Sequence, residues 1–316
     1  MDHKKWIKAR IKEILQIWRV REIKRTASRI TKERIVSDLK KLGLKEGDNV
    51  LLHSSLKSMG FVEGGAKTVI QAIIEVVSSS GTLIVPTYSG AGTMYGTCQA
   101  KDYVFDPRSS STELGSIPVT FLRLFNKHRS IHPTHSVSAV GKNAKFITEG
   151  HHTAVSTYGT DSPWDRLMKI DGKLMGLGVG IWPIPLFHVL EDMELDRFPL
   201  PVRMKETYML KCKDWFGNHL EVPVTPLDPK YAKIRIDQKS RQDLKDYFWK
   251  AFILAGVLTV GNVGEATSWL ASANAFYKRL KLAMRDGITI YSSAEELRRR
   301  PLTCEKSMPL EPLSIL

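Results

Sequence analysis

Two short apolar runs bracket a helix-like stretch, and that order limits what the chain can become more than any other feature. Residues 49–52 read as a buried strand, 66–78 as an amphipathic helix and 81–86 as a second strand. Strand, turn, helix, strand is the unit of a parallel α/β sheet. Residues 32–42 read as a helix ahead of this unit, and Gly43 and Gly47 bracket the turn after it. Further along, 115–126 reads as a helix and 137–140 and 173–179 as strands, and Pro185 opens another helix. The expected fold is therefore α/β, a central mixed or mostly parallel sheet flanked by helices. After Phe198 the texture turns β-like. Residues 202–213 and 219–224 read as strands joined by a turn at 214–218, with helices near 240–255 and 272–285, a smaller C-terminal β/helical region.

The amino-terminal stretch differs from the rest. Residues 1–34 hold twelve lysines and arginines against four acids, a surplus of eight out of the chain's +14. Ile7, Ile11, Ile14, Leu15 and Trp18 recur at helical spacing among these cations, so a basic amphipathic helical arm is expected. Docking on its own domain, pairing with a second copy in a homodimer, and peripheral contact with an anionic membrane are all open to such a helix. No nucleic-acid module accompanies it, and nucleic acid is not an expected partner. The expected division is arm 1–34, domain 35–292 and tail 293–316.

Composition is that of a globular protein, 42% hydrophobic and 25% charged. No run approaches the roughly 18–20 apolar residues of a membrane span. The longest candidate, 251–264, reads as a buried helix running into a strand. No secretory signal is recognisable, and Cys98, Cys212 and Cys304 form neither a disulfide framework nor a CxxC pair. A cytoplasmic location is expected.

Chemistry concentrates in three places. His188 and Glu191 are three apart on an expected helix, hence on one face and within reach of each other. A carboxylate beside an imidazole fixes its tautomer and supports the positive charge formed when it takes a proton. The second place is the segment Arg129-Ser130-Ile131-His132-Pro133-Thr134-His135-Ser136, where proline holds His132 extended and either histidine can be the functional one. The third is His53-Ser54-Ser55 at a strand end, where hydroxyls and backbone N–H groups can bind phosphate or polarise a carbonyl. GxxxxGK[ST], GxGxxG, GxSxG and HExxH are all missing, which disfavours nucleotide hydrolysis, dinucleotide binding, an α/β-hydrolase and a catalytic metal.

Taken together, the residues from about 35 to about 290 resemble the aminoglycoside 3-N-acetyltransferase family, the antibiotic N-acetyltransferases. The resemblance rests on Val50 to Leu56 with Gly60, Gly64 and Gly65, on Gly81 to Thr87, and on Phe105-Asp106-Pro107. It continues through Gly115 to Pro118, Arg129 to Gly141, Tyr158 to Gly180, Phe187 to Glu191 and Ala255 to Ala266, all in order. It implies an acetyl-CoA-dependent N-acetyltransferase that moves the acetyl group directly to an amine, with acetyl-CoA as co-substrate and no metal. Carried over to this sequence, His188 with Glu191 would be the general base, with His132 beside them. The CoA site would be His53, Ser54, Ser55, Leu56, Val85, Pro86 and Thr87, with Ser162 and Gly178 near it. Tyr88, Asp106 and Asp192 are the expected acceptor-binding residues. The chemistry fits a histidine of ordinary pKa, about 6.5, because the barriers are a protonated amine and a developing oxyanion. Backbone N–H groups at Ser54-Ser55 are the expected oxyanion donors.

Three features depart from the drug-resistance pattern. Between Pro86 and Phe105 the only carboxylate is Asp102, sparse for a polycationic drug. Trp182-Pro183-Ile184-Pro185 forms an apolar lip suited to a deoxy-sugar or lipid-linked acceptor. The basic arm suits an anionic partner such as a nucleotide-linked sugar. The expected acceptor is therefore an amino-sugar, with aminoglycoside resistance as the alternative. A catalytically silent binding module working through the arm is the competing class.

Overall fold

The computed structural model describes residues 29–300 and 302. Its strands are β1 (Arg29–Ile30), β2 (Asn49–Ser54), β3 (Phe61–Val62), β4 (Thr82–Pro86), β5 (Val137–Gly141), β6 (Lys173–Leu177), β7 (Tyr208–Lys213), β8 (His219–Val224), β9 (Thr259–Val263) and β10 (Ala266–Ser272). Six of them form one mixed sheet in the order β5-β4-β2-β6-β10-β9. β4, β2 and β6 run parallel at its centre, while β5, β10 and β9 are attached antiparallel.

The sheet alternates as its sequence dictates. Leu51, Ile84 and Leu174 enter the core on one face, and Val50, Leu52, Leu83, Val85 and Met175 enter the core on the other. Both faces are dry, which is why these strands read as apolar runs rather than as alternating patterns. One face is covered by helices Lys32–Leu42, Ala66–Val77 and Ser116–Leu124. The other is covered by helices Pro163–Lys169, Leu186–Met193, Gln242–Leu254 and Ala273–Arg285 and by the β7–β8 hairpin.

Local signals set the boundaries. Helix Lys32–Leu42 starts where the Thr31 side chain accepts from the Arg34 N–H, and ends at Gly43 with φ +104°. Glycine adopts that left-handed conformation without the steric cost of a Cβ.

Several expectations shift. β2 runs through His53 and Ser54 instead of stopping at 52. β7 begins at Tyr208 rather than 202, because Arg203 is drawn inward to Asp192 and to the Thr225 carbonyl. β10 has no counterpart in the sequence reading. The 251–264 stretch splits into a helix end and the largely exposed edge strand β9. The loop after β4 contains helix Met94–Cys98. In the C-terminal region β9 and β10 complete the main sheet and the hairpin shares its core, within the one domain expected. At the ends, residue 34 lies inside the first helix, and residues 294–299 of the expected tail are a helix opened by a capping box at Ser293. The rest of the arm, 1–28, and Cys304 lie outside the described residues. Among the described residues no helix is long and apolar enough to cross a membrane.

Candidate active site

Helix Leu186–Met193 buries Leu186, Phe187, Val189 and Leu190 against the core, and its remaining face carries the chemistry. His188 is 14% exposed at the side chain, and Glu191 is fully buried. The Nδ1 of His188 lies 2.9 Å from Oε2 of Glu191. The other carboxylate oxygen, Oε1, accepts from the Tyr291 hydroxyl at 2.8 Å. Burial pushes the Glu191 pKa up, but the His188 charge and hydrogen bond, the Arg203 charge and the Tyr291 hydroxyl outweigh it and hold the carboxyl below its ordinary value. An ionised carboxylate only accepts, so Nδ1 carries the proton and Nε2 keeps its lone pair. His188 lines a cleft of about 650 Å³, where that lone pair can take a proton.

The histidine-rich segment divides differently from the expectation. His132 is 2% exposed, does not line the cleft, and stacks on His151 with centroids 4.3 Å apart. Its Nδ1 accepts from the backbone N–H groups of Thr134 at 3.3 Å and His135 at 3.1 Å, so it pins the turn that Pro133 begins. His135, the other histidine of the segment, is the one on the cleft wall. Its ring lies 5.0 Å from Tyr158, and Tyr158 lies 5.3 Å from His188. Tyr158 therefore stands between the histidine segment and His188. Burial lowers the pKa values of His132 and His135 well below 6.5 and that of His151 to about 3, leaving all three neutral at neutral pH.

Of the acceptor residues, Tyr88 lines the cleft, and its hydroxyl is buried with no protein partner among the described residues. Asp192 does not reach the cleft. Its side chain is 2% exposed, ion-paired to Arg203, and accepts from the Tyr158 N–H at 3.0 Å. Asp106 is also spent, held by both guanidinium arms of Arg108 at 3.0 and 2.8 Å, which bring its pKa down to about 2. The carboxylates that line the cleft are Glu113 and Asp237, and Asp237 is bound twice to Arg235 at 2.8 Å. Leu114, Trp182, Ile184 and Leu227 give the cleft apolar walls. Among the described residues, no group of three or more His, Cys, Asp or Glu is arranged to hold a metal ion.

The expected CoA residues gather at one edge of the sheet. β4, β2 and β6 are parallel neighbours, so Thr87, the Ser54–Leu56 turn and Gly178 emerge side by side. The cleft wall begins at Tyr88, just past the end of β4 and Thr87, and resumes at Trp182 after Gly178. Val85, Pro86 and Thr87 are buried, and Thr87 Oγ1 is engaged with Ser138 Oγ at 2.9 Å. Ser162 is fully buried as the cap of helix Pro163–Lys169. Gly178, with φ +65°, packs so tightly that a Cβ would lie 2.5 Å from Ser58. These residues shape the edge from beneath. His53 keeps a buried Nε2 without a protein partner among the described residues, and burial lowers its pKa to about 4. Ser55 is not an oxyanion donor, because its N–H is bound to the Leu177 carbonyl at 2.8 Å.

Tyr158, Arg203, Arg235 and Tyr291 escaped the sequence reading as site residues. Only Tyr158 carried a signal, as the first residue of a family-like segment.

A family model described as Aminoglycoside 3-N-acetyltransferase matches residues 51–285. Aminoglycoside N(3)-acetyltransferase IX of Micromonospora chalcea is 30% identical across 77% of this chain and 89% of its own. The solved structure of aminoglycoside acetyltransferase AAC(3)-IIb superposes with a TM-score of 0.67 at 27% identity, covering 83% of this chain and 99% of its own. AAC-IIIb, solved as a binary complex with CoASH, shares the fold with a TM-score of 0.65 at 24% identity, over 82% of this chain and 98% of its own.

Proposed function

Because the chain belongs to the aminoglycoside 3-N-acetyltransferase family, we propose that it transfers the acetyl group of acetyl-CoA directly to an amine of an amino-sugar or aminoglycoside-like acceptor. The observation that carries this reading is the His188–Glu191 contact on the wall of the cleft.

His188 takes the proton of the acceptor amine at Nε2 while Glu191 balances the imidazolium charge. The amine nitrogen bonds to the thioester carbonyl carbon and the carbon–sulfur bond breaks. The proton on His188 passes to the departing thiolate, leaving an amide and free CoA. On the donor side, Ser54, Ser55 and Leu56 would lie along the pantetheine arm, and the unpartnered His53 Nε2 suits a polar ligand there. Val85, Pro86, Thr87, Ser162 and Gly178 support that edge. A cytoplasmic setting suits this donor.

For the acceptor, Glu113 is the one carboxylate on the cleft wall not bound to a protein cation among the described residues. Burying several ammonium groups against one carboxylate is costly. This favours an amino-sugar with few charges. The names of the relatives favour a drug, the second reading. Thiol release measured with DTNB across kanamycin-like drugs and nucleotide-linked amino-sugars tests both. Turnover should be faster with the amino-sugars, and fast turnover of kanamycin at micromolar KM would establish the second reading. His188→Ala should lower kcat by about 10²–10⁴-fold, and near-normal turnover in that variant would remove His188 from the mechanism.

A further inference from the structure

Glu191 has two oxygens, and only one of them faces the histidine. The other is bound by Tyr291, one hundred residues along the chain and beyond the segment matched by the family model. We propose that Tyr291 is a positioning residue of the acetyl-transfer site, whose hydroxyl locks the Glu191 carboxylate so that His188 is held with Nε2 toward the cleft. The inference rests on the reading of His188 as the base.

The geometry is that of a fixed donor. Tyr291 is 4% exposed, and its ring meets Phe198 and Tyr231 edge-on with centroids 6.3 and 5.7 Å away. The backbone on either side is tied down. The Ile236 N–H donates to the Ile290 carbonyl at 3.0 Å, and the Arg241 guanidinium binds the Ser292 carbonyl. The hydroxyl therefore has a set position, and a carboxylate in a dry site can rotate only by breaking this bond. Without it, nothing on the Tyr291 side stops Glu191 from turning toward Arg203, the cation whose charge also favours the ionised carboxylate. His188 is faced by the neutral rings of Tyr158 and His135, and Asp237 in the cleft is already bound by Arg235. Control of the imidazole thus falls to Glu191, and control of Glu191 to Tyr291.

The test is Tyr291→Phe, which keeps the ring and its aromatic contacts. Thiol release should show kcat lowered about 5–10-fold, the effect of one net hydrogen bond, with both KM values within about twofold. The acid limb of the kcat profile should move to lower pH, because a carboxylate that turns toward Arg203 stabilises the imidazolium less. Combined with Glu191→Gln, the substitution should cost less than about twofold further. A similar loss in both backgrounds, as misfolding would produce, or an unmoved acid limb overturns the proposal. Normal turnover in His188→Ala, by contrast, would defeat the base assignment itself.

Discussion

His188 and the pair His132 and His151 differ in the company of a carboxylate and in access to the cleft. His188 has Glu191 at 2.9 Å and opens on the cleft. His132 and His151 are stacked in the interior with hydroxyls, backbone groups and aromatic rings around them. In the first setting the ring has a carboxylate partner and a solvent-accessible edge. In the second, desolvation makes the charged form costly and the ring serves as a neutral connector. The same side chain is thus suited to proton exchange or to a structural role according to its neighbours.

Glu191→Gln strikes hardest at this contrast after loss of His188 itself. It should lower kcat about 10–100-fold, the worth of a charge-assisted hydrogen bond, read by thiol release. Retained activity would mean that the carboxylate is not what distinguishes His188. A smaller effect of another kind is expected from His132→Ala. Two buried N–H groups lose their acceptor, so stability should fall by about 1–3 kcal/mol in denaturant titration, while kcat of the folded fraction stays within about threefold. His132→Asn should restore part of the stability by supplying an acceptor oxygen. A selective loss of kcat with intact stability would move His132 back into the chemistry.

The gentlest probe is pH. His53 at about 4 and His151 at about 3 titrate far below the unfolded value of about 6.5, and His132 and His135 also lie well below it. Below pH 6.5 the unfolded chain takes up protons that the folded chain refuses, so stability falls with falling pH. Tm should be level above pH 7 and decline steadily from 6.5 toward 4. A level Tm down to pH 5 would show that these rings are not held neutral.

Much of this was legible in the chain. The apolar runs of β2 and β4 and the caps of helix Lys32–Leu42 are local signals, and the interval between His188 and Glu191 fixes their shared face before any tertiary contact is known. What failed was pairing at a distance. Asp106 and Asp192 look like acceptor ligands until Arg108 and Arg203 are found on them, and no pattern links Asp192 to a residue eleven places on in an irregular segment. β10 was missed because Ala266–Ser272 mixes small polar residues into a buried run, which period-two reading does not recognise. His132 and His135 flank Pro133-Thr134 in one loop, and only the turn separates the inward ring from the outward one.

The anchoring of Ile290 and Ser292 against residues 236 and 241 also carries a consequence for synthesis on the ribosome. A nascent chain released only as far as Arg285 already contains every strand of the described residues and the helix bearing His188, yet it lacks the hydroxyl that reaches Glu191. The scaffold is thus spelled out before the Tyr291 hydroxyl, which follows only when the segment from 286 to 292 leaves the exit tunnel.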